Sequence, residues 1–171
     1  MLEKMVDEEE TPEAVFFRYA FSCTDELYEL SLISKEVLEK VRGYIESGQV
    51  PNRDFLESTY PNGLARIEKL AKSLGRDKWD EFVIRKYFLE EHNKVIDKRE
   101  GSYRIMTTTQ RELCKVRIGV VKKVYMKEGK LLTYDVDYGD RVQTVIGKYF
   151  SDARVGDRIS THWNFAVEKI N

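Results

Sequence analysis

The sequence predicts an α+β protein: a helical domain followed by a small, five-stranded antiparallel β-barrel. Three observations carry this. Apolar residues recur every three or four positions before residue 100 and every second position after it. The strand-like runs are short and separated by turn residues. Closing such strands into a barrel removes their exposed edges. The expected boundaries are 11–100 for the helical domain, 101–112 for a connector and 113–171 for the barrel.

In the helical part, Val15, Phe16 and Tyr19 share a face, with Leu27 and Leu30 beyond. Ser34 caps a helix carrying Val37, Leu38, Val41 and Ile45, and Gly48 stops it. Leu64, Ile67, Leu70 and Leu74 step by three or four until Gly75. Asp77 is the expected cap of the next helix, which carries Trp79, Phe82, Val83, Tyr87, Val95 and Ile96. Pro51 and Tyr60-Pro61-Asn62-Gly63 are expected breaks. In the barrel, Val116, Ile118, Val120, Lys122 and Val124 alternate with Arg117, Gly119, Val121 and Lys123. Lys127-Glu128-Gly129 and Tyr138-Gly139-Asp140 are hairpin turns. In the last segment Ile159, Thr161, Trp163, Phe165 and Val167 form one stripe, and Ser160, His162 and Asn164 point the other way.

The chain has 171 residues, 42% hydrophobic and 35% charged, which suits a globular protein with a real core. Its first residues, MLEKMVDEEE, are acidic and lack the apolar run of a signal peptide, and no stretch suits a membrane span, so a cytoplasmic location is expected. Residues 111–171 carry 12 Lys/Arg against 8 Asp/Glu, and the first 110 residues carry a net −5. Abundant Lys and Glu with scarce Asn and Gln agree with a thermophilic source.

Phosphate-binding loops, zinc-protease helices and nucleophile elbows are absent. Asp135, Asp137 and Asp140 cluster at a turn, where turn chemistry explains them better than a cation does. The two cysteines and two histidines stand in four separate segments, at 23, 92, 114 and 162, so spacing alone gives no metal motif. Cys114 and His162 differ from the others because both fall on the barrel. First and last strands of a small barrel can meet, which would make the two a soft-metal or thiol-reactive pair.

Residues 114–171 resemble the small hydrogenase-maturation chaperones. The likeness rests on Cys114 with Gly119 five positions on, Asp137-Tyr138-Gly139, Val155-Gly156-Asp157, His162, and Phe165-Ala166-Val167. It implies an OB-like barrel whose cysteine, here Cys114, binds a protein partner or a transient iron, with the histidine, here His162, lying near it. Departures from the pattern are an internal cysteine, Ile118 in place of a proline, and Trp163-Asn164 before the phenylalanine. Trp163 would then cover the rim where a partner docks. The whole chain resembles a poorly characterised archaeal group that joins a helical domain to such a barrel.

The leading expectation is therefore a non-enzymatic accessory or assembly protein, with a hydrogenase subunit or assembly factor as partner and Cys114, His162 and Trp163 at the docking or metal site. No resident cofactor is expected. A second expectation is single-strand nucleic-acid binding, with Tyr125, Tyr134, Tyr138, Tyr149 and Phe150 as stacking residues. A third is a Cys/His-dependent enzyme, for which no third, orienting group is legible.

Overall fold

Side chains that satisfy orphan amides set the helix starts. Thr11 accepts from Ala14 N–H to open α1 (Pro12–Ala20), Ser34 from Val37 N–H to open α3 (Lys35–Ser47), and Asn52 from Phe55 N–H to open α4 (Arg53–Thr59). Between α1 and α3 a 3-10 turn, Phe21–Cys23, runs into the short α2 (Thr24–Glu29). The computed structural model describes residues 10–126 and 132–171. The first nine residues and the Lys127-Glu128-Gly129 turn lie outside them. No helix among the described residues is long and apolar enough to cross a membrane.

Two helix boundaries differ from the sequence reading. The break expected at Tyr60-Pro61-Asn62-Gly63 narrows to Tyr60, between α4 and α5 (Pro61–Leu74), and Pro61 begins α5, where its missing N–H costs nothing. The cap before α6 (Glu81–Lys86) is Asp80, which accepts from Phe82 and Val83 N–H, while Asp77 accepts from Trp79 N–H in the preceding turn. A π-helical turn, Tyr87–Glu91, joins α6 to α7 (His92–Asp97). Its wider winding turns Tyr87, Phe88, His92 and Ile96 all into the interior. The expected connector is itself structured. It holds a 3-10 turn, Gly101–Arg104, and most of α8 (Thr108–Cys114), opened by a Thr107/Gln110 capping box.

The five strands are β1 (Arg117–Tyr125), β2 (Thr133–Asp137), β3 (Val142–Ile146), β4 (Arg158–His162) and β5 (Phe165–Lys169), closed in the order β1-β2-β3-β5-β4. The expectation of a purely antiparallel barrel is corrected here: β3 meets β5 in parallel, at Ile146 and Phe165, with Ile146 N–H donating to Asn164 O at 2.7 Å. Parallel pairing follows because β4 and β5 form a tight hairpin that inserts β5 between β3 and β4. Trp163 and Asn164 both have positive φ (48° and 63°), the geometry of a two-residue hairpin turn, so Trp163 leaves the stripe to which alternation assigned it.

Alternation also misassigned β1. Ile118 is exposed, and the inward positions are Gly119 and Val121. The register then skips at Lys122, a bulge that returns Val124 to the barrel core. That core is Val121, Tyr134, Val136, Val145, Ala153, Ile159 and Ala166. A second skip, at Val167, turns both Val167 and Glu168 toward the helices. Val116 and Val167 thereby join the helical core around Phe16, Leu56, Ile67 and Val83, so one hydrophobic cluster spans both halves of the chain.

Candidate metal centre

Where β4 meets the helical half, its outer face is buried rather than wet. Ser160 and His162 are 0% and 1% exposed. Such burial needs polar partners. His162 finds them at the end of α1: Nδ1 lies 2.7 Å from the Tyr19 carbonyl and 3.0 Å from Ser22 Oγ. A carbonyl only accepts, so Nδ1 carries the proton and Nε2 presents a lone pair. That lone pair faces two sulfurs, Cys23 Sγ at 3.5 Å and Cys114 Sγ at 3.7 Å. The three ligand atoms lie within 4.8 Å of one another.

Each sulfur is placed by an element that had other reasons to form. Cys23 ends the 3-10 turn after α1. Cys114 is the last residue of α8, and two hydrogen-bonded contacts hold that end. Asn93 clamps Val116 through both its amide atoms (2.8 and 2.9 Å), and Trp163 N–H donates to Leu113 O at 3.1 Å. Cys114 packs with Ile96, Tyr103 and Met106, and Cys23 and Trp163 lie against that cluster. The indole Nε1 of Trp163 is buried with no hydrogen-bond acceptor in range, and it favours negative charge on the neighbouring Cys23.

The thiols share their protons unequally. A hydrogen bond with Cys23 holds Cys114 well below the ordinary thiol range, helped by His162 and His92 and opposed by burial. The same hydrogen bond, with burial, pushes Cys23 well above it. Cys114 is therefore the more acidic of the two thiols. His92 stands beside them, its ring 5.1 Å from that of His162 and its Nε2 3.3 Å from the Tyr103 hydroxyl. Burial lowers its pKa, which favours the neutral imidazole, while Cys114 opposes the shift. Glu26, bonded to Gln110, is raised by burial and then by the charge on Cys114.

A metal fits this geometry. Bonds of about 2.3 Å to sulfur and 2.0–2.1 Å to nitrogen, at a tetrahedral angle, put S and N about 3.6 Å apart. The two observed separations bracket that value. A ligating histidine normally donates its other ring N–H to a carbonyl or carboxylate, as His162 does to Tyr19. Three ligands leave one tetrahedral position for an exchangeable group.

Of the residues singled out from sequence, Cys114 and His162 come together and Trp163 lies beside them. Cys23, set aside for want of metal spacing, joins them, as do Tyr19 and Ser22, and so does His92, which its charged neighbours Glu90 and Glu91 mark as a surface or interface residue but which is buried. The legible signal was scarcity: the chain's two cysteines and two histidines all meet in this cluster. Asp137 is occupied as turn chemistry requires, whereas Asp135 lies within β2 and is held by side chains of the neighbouring strands. Asp135 accepts from Tyr125 and Thr144 hydroxyls, and Asp137 from Gly139 N–H. No protein-family model, curated protein or solved structure matches the chain.

Proposed function

We propose that this chain is a metal-holding accessory protein. Cys23, Cys114 and His162 bind one zinc or iron(II) ion, with the remaining position open to an outside ligand. The observation that carries this is the pair of sulfur–nitrogen separations, together with the Tyr19 carbonyl that fixes the His162 tautomer. The lowered pKa of Cys114 favours a thiolate ligand, which suits a borderline-soft cation. The closed five-stranded barrel is consistent with an OB-like module, and the Cys114/His162 pair with the hydrogenase-maturation chaperones it resembles. In this reading the helical half does more than add an interface: through Cys23 it supplies a ligand.

Cobalt(II) titration and elemental analysis of anaerobically purified protein test the metal. One ion per chain with sulfur-to-cobalt charge-transfer absorption is expected, and Cys23→Ser, Cys114→Ser and His162→Ala should each lose it, whereas Trp163→Phe should keep it. Wild type without such absorption, or variants that retain it, would end the metal reading. Co-purification with hydrogenase subunits and assembly factors tests the accessory role. The same lack of partner in wild type and Cys114→Ala would remove it.

Nucleic-acid binding has less support. Tyr134 is fully buried, Tyr149 packs on Phe21 and Phe165, Tyr138 bonds Thr161 over Gly119, and Phe150 packs on the barrel core. Of the five stacking candidates, Tyr125 is the exposed one.

A further inference from the structure

Beside the sulfur–imidazole cluster lies a cavity of about 180 Å³. Phe16, Tyr60 and Phe88 make much of its apolar wall, and Cys23 and His92 belong to both the cavity and the cluster. Arg66, on α5, lines the same cavity. Its guanidinium lies 5.6 Å over the Tyr103 ring and beside the Tyr87 hydroxyl. The described residues form many ion pairs, and none includes Arg66, although it is half-buried.

We infer that this cavity binds a small organic anion, a carboxylate on an apolar body of about one ring, with Arg66 as its counter-charge. Size supports the class: a dry cavity of about 150 Å³ accommodates benzene, so the volume here takes a ring and a small substituent. Wall chemistry supports it as well, since an aromatic lining rewards an apolar body while Thr59, Asn62 and Ser102 add polar contacts. Charge supplies the rest. A partly desolvated guanidinium gains most from a carboxylate that it can grip with two N–H donors. Cys23 and His92 put the other end of such a ligand next to the proposed metal. The inference goes beyond the metal reading and is tested apart from it.

Calorimetric titration with benzoate, and with benzamide as its uncharged counterpart, is the experiment. Saturable binding of one benzoate per chain is expected, with benzamide weaker by about tenfold or more, the worth of one charge-assisted contact. Arg66→Gln should cost benzoate a similar factor while leaving the metal content and melting temperature unchanged, and Arg66→Lys should recover part of the loss. Absence of benzoate binding, equal binding of benzamide, or an unaltered affinity in Arg66→Gln would each overturn the inference. If Arg66→Gln does not fold, the benzoate/benzamide comparison on wild type still decides. Benzoate binding by protein that takes up no cobalt sustains this inference while the metal reading fails. Metal-loaded protein that ignores benzoate does the reverse.

Discussion

His162 is held at one ring nitrogen so that the other can face the sulfurs. The Tyr19 carbonyl takes the Nδ1 proton, and Nε2 is left to Cys23 and Cys114. The two cysteines then separate acidity from access. Cys114 is the better thiolate, but it is 1% exposed, whereas Cys23 is only partly buried and lines the cavity. Alkylation needs both a thiolate and a path to it. Access should win, because no reagent reaches Cys114 without local opening. In metal-free protein, iodoacetamide should label the Cys23 peptide several-fold faster than the Cys114 peptide, read by mass spectrometry. Faster labelling of Cys114 would mean that the packing around it is looser than the structure shows.

At the scale of elements, the pieces of the chaperone-like pattern divide into frame and site. A Cβ on Gly119 would come within 2.5 Å of Val136 Cγ1 and 2.8 Å of the Asp137 carbonyl and the Tyr138 ring. The glycine is therefore needed by the Asp137-Tyr138-Gly139 turn that packs on it. Gly119→Ala should cost about 1–3 kcal/mol, as overpacking does, without displacing Cys114 or His162, so that cobalt binding survives in the folded fraction. Asn93 is the opposite case. Its amide joins α7 to the start of β1 beside Cys114. Asn93→Ala leaves the Val116 N–H and C=O without partners. The expected loss is about 1–3 kcal/mol for each group that stays dry, together with weaker cobalt affinity. Denaturant melts and cobalt titration of both variants separate frame from site.

At the scale of the molecule, Glu168 joins the two halves. It is 6% exposed on β5, accepts the Tyr19 hydroxyl at 2.6 Å, and pairs with Arg18 and Arg85 at 3.4 and 3.0 Å. Tyr19 thus meets the barrel twice, by its side chain at Glu168 and by its carbonyl at His162. Glu168→Ala takes one carboxylate from each arginine, leaving Arg18 with Glu10 and Arg85 with Glu10 and Glu81, and leaves the Tyr19 hydroxyl with Ser160 alone. The expected cost is about 1–3 kcal/mol, chiefly the charge-assisted hydrogen bond that the Tyr19 hydroxyl loses. Metal affinity should weaken too, because the Tyr19 carbonyl loses its anchor. A Glu168→Ala protein with unchanged melting and unchanged cobalt binding would show that Glu168 does not tie α1 to the barrel.

Much of the frame was legible in the residues alone. Helical spacing before residue 100, alternation after it, the Ser34 cap and the Gly48 and Gly75 stops are local effects, governed by neighbours a few positions away. Where the reading slipped, a local rule met a non-local one. The Trp163-Asn164 turn, the two bulges and the parallel β3/β5 contact depend on how a closed barrel must turn against helices, and no stripe of alternating residues encodes that. The site divides along the same line. Pattern singled out Cys114 and His162. Cys23, 139 positions from His162 in the chain, became their neighbour only because α1 packs along the outer face of β4. The sequence determined which soft ligands were available, and tertiary packing decided that they share one centre, because ligands drawn from different elements leave no spacing to read.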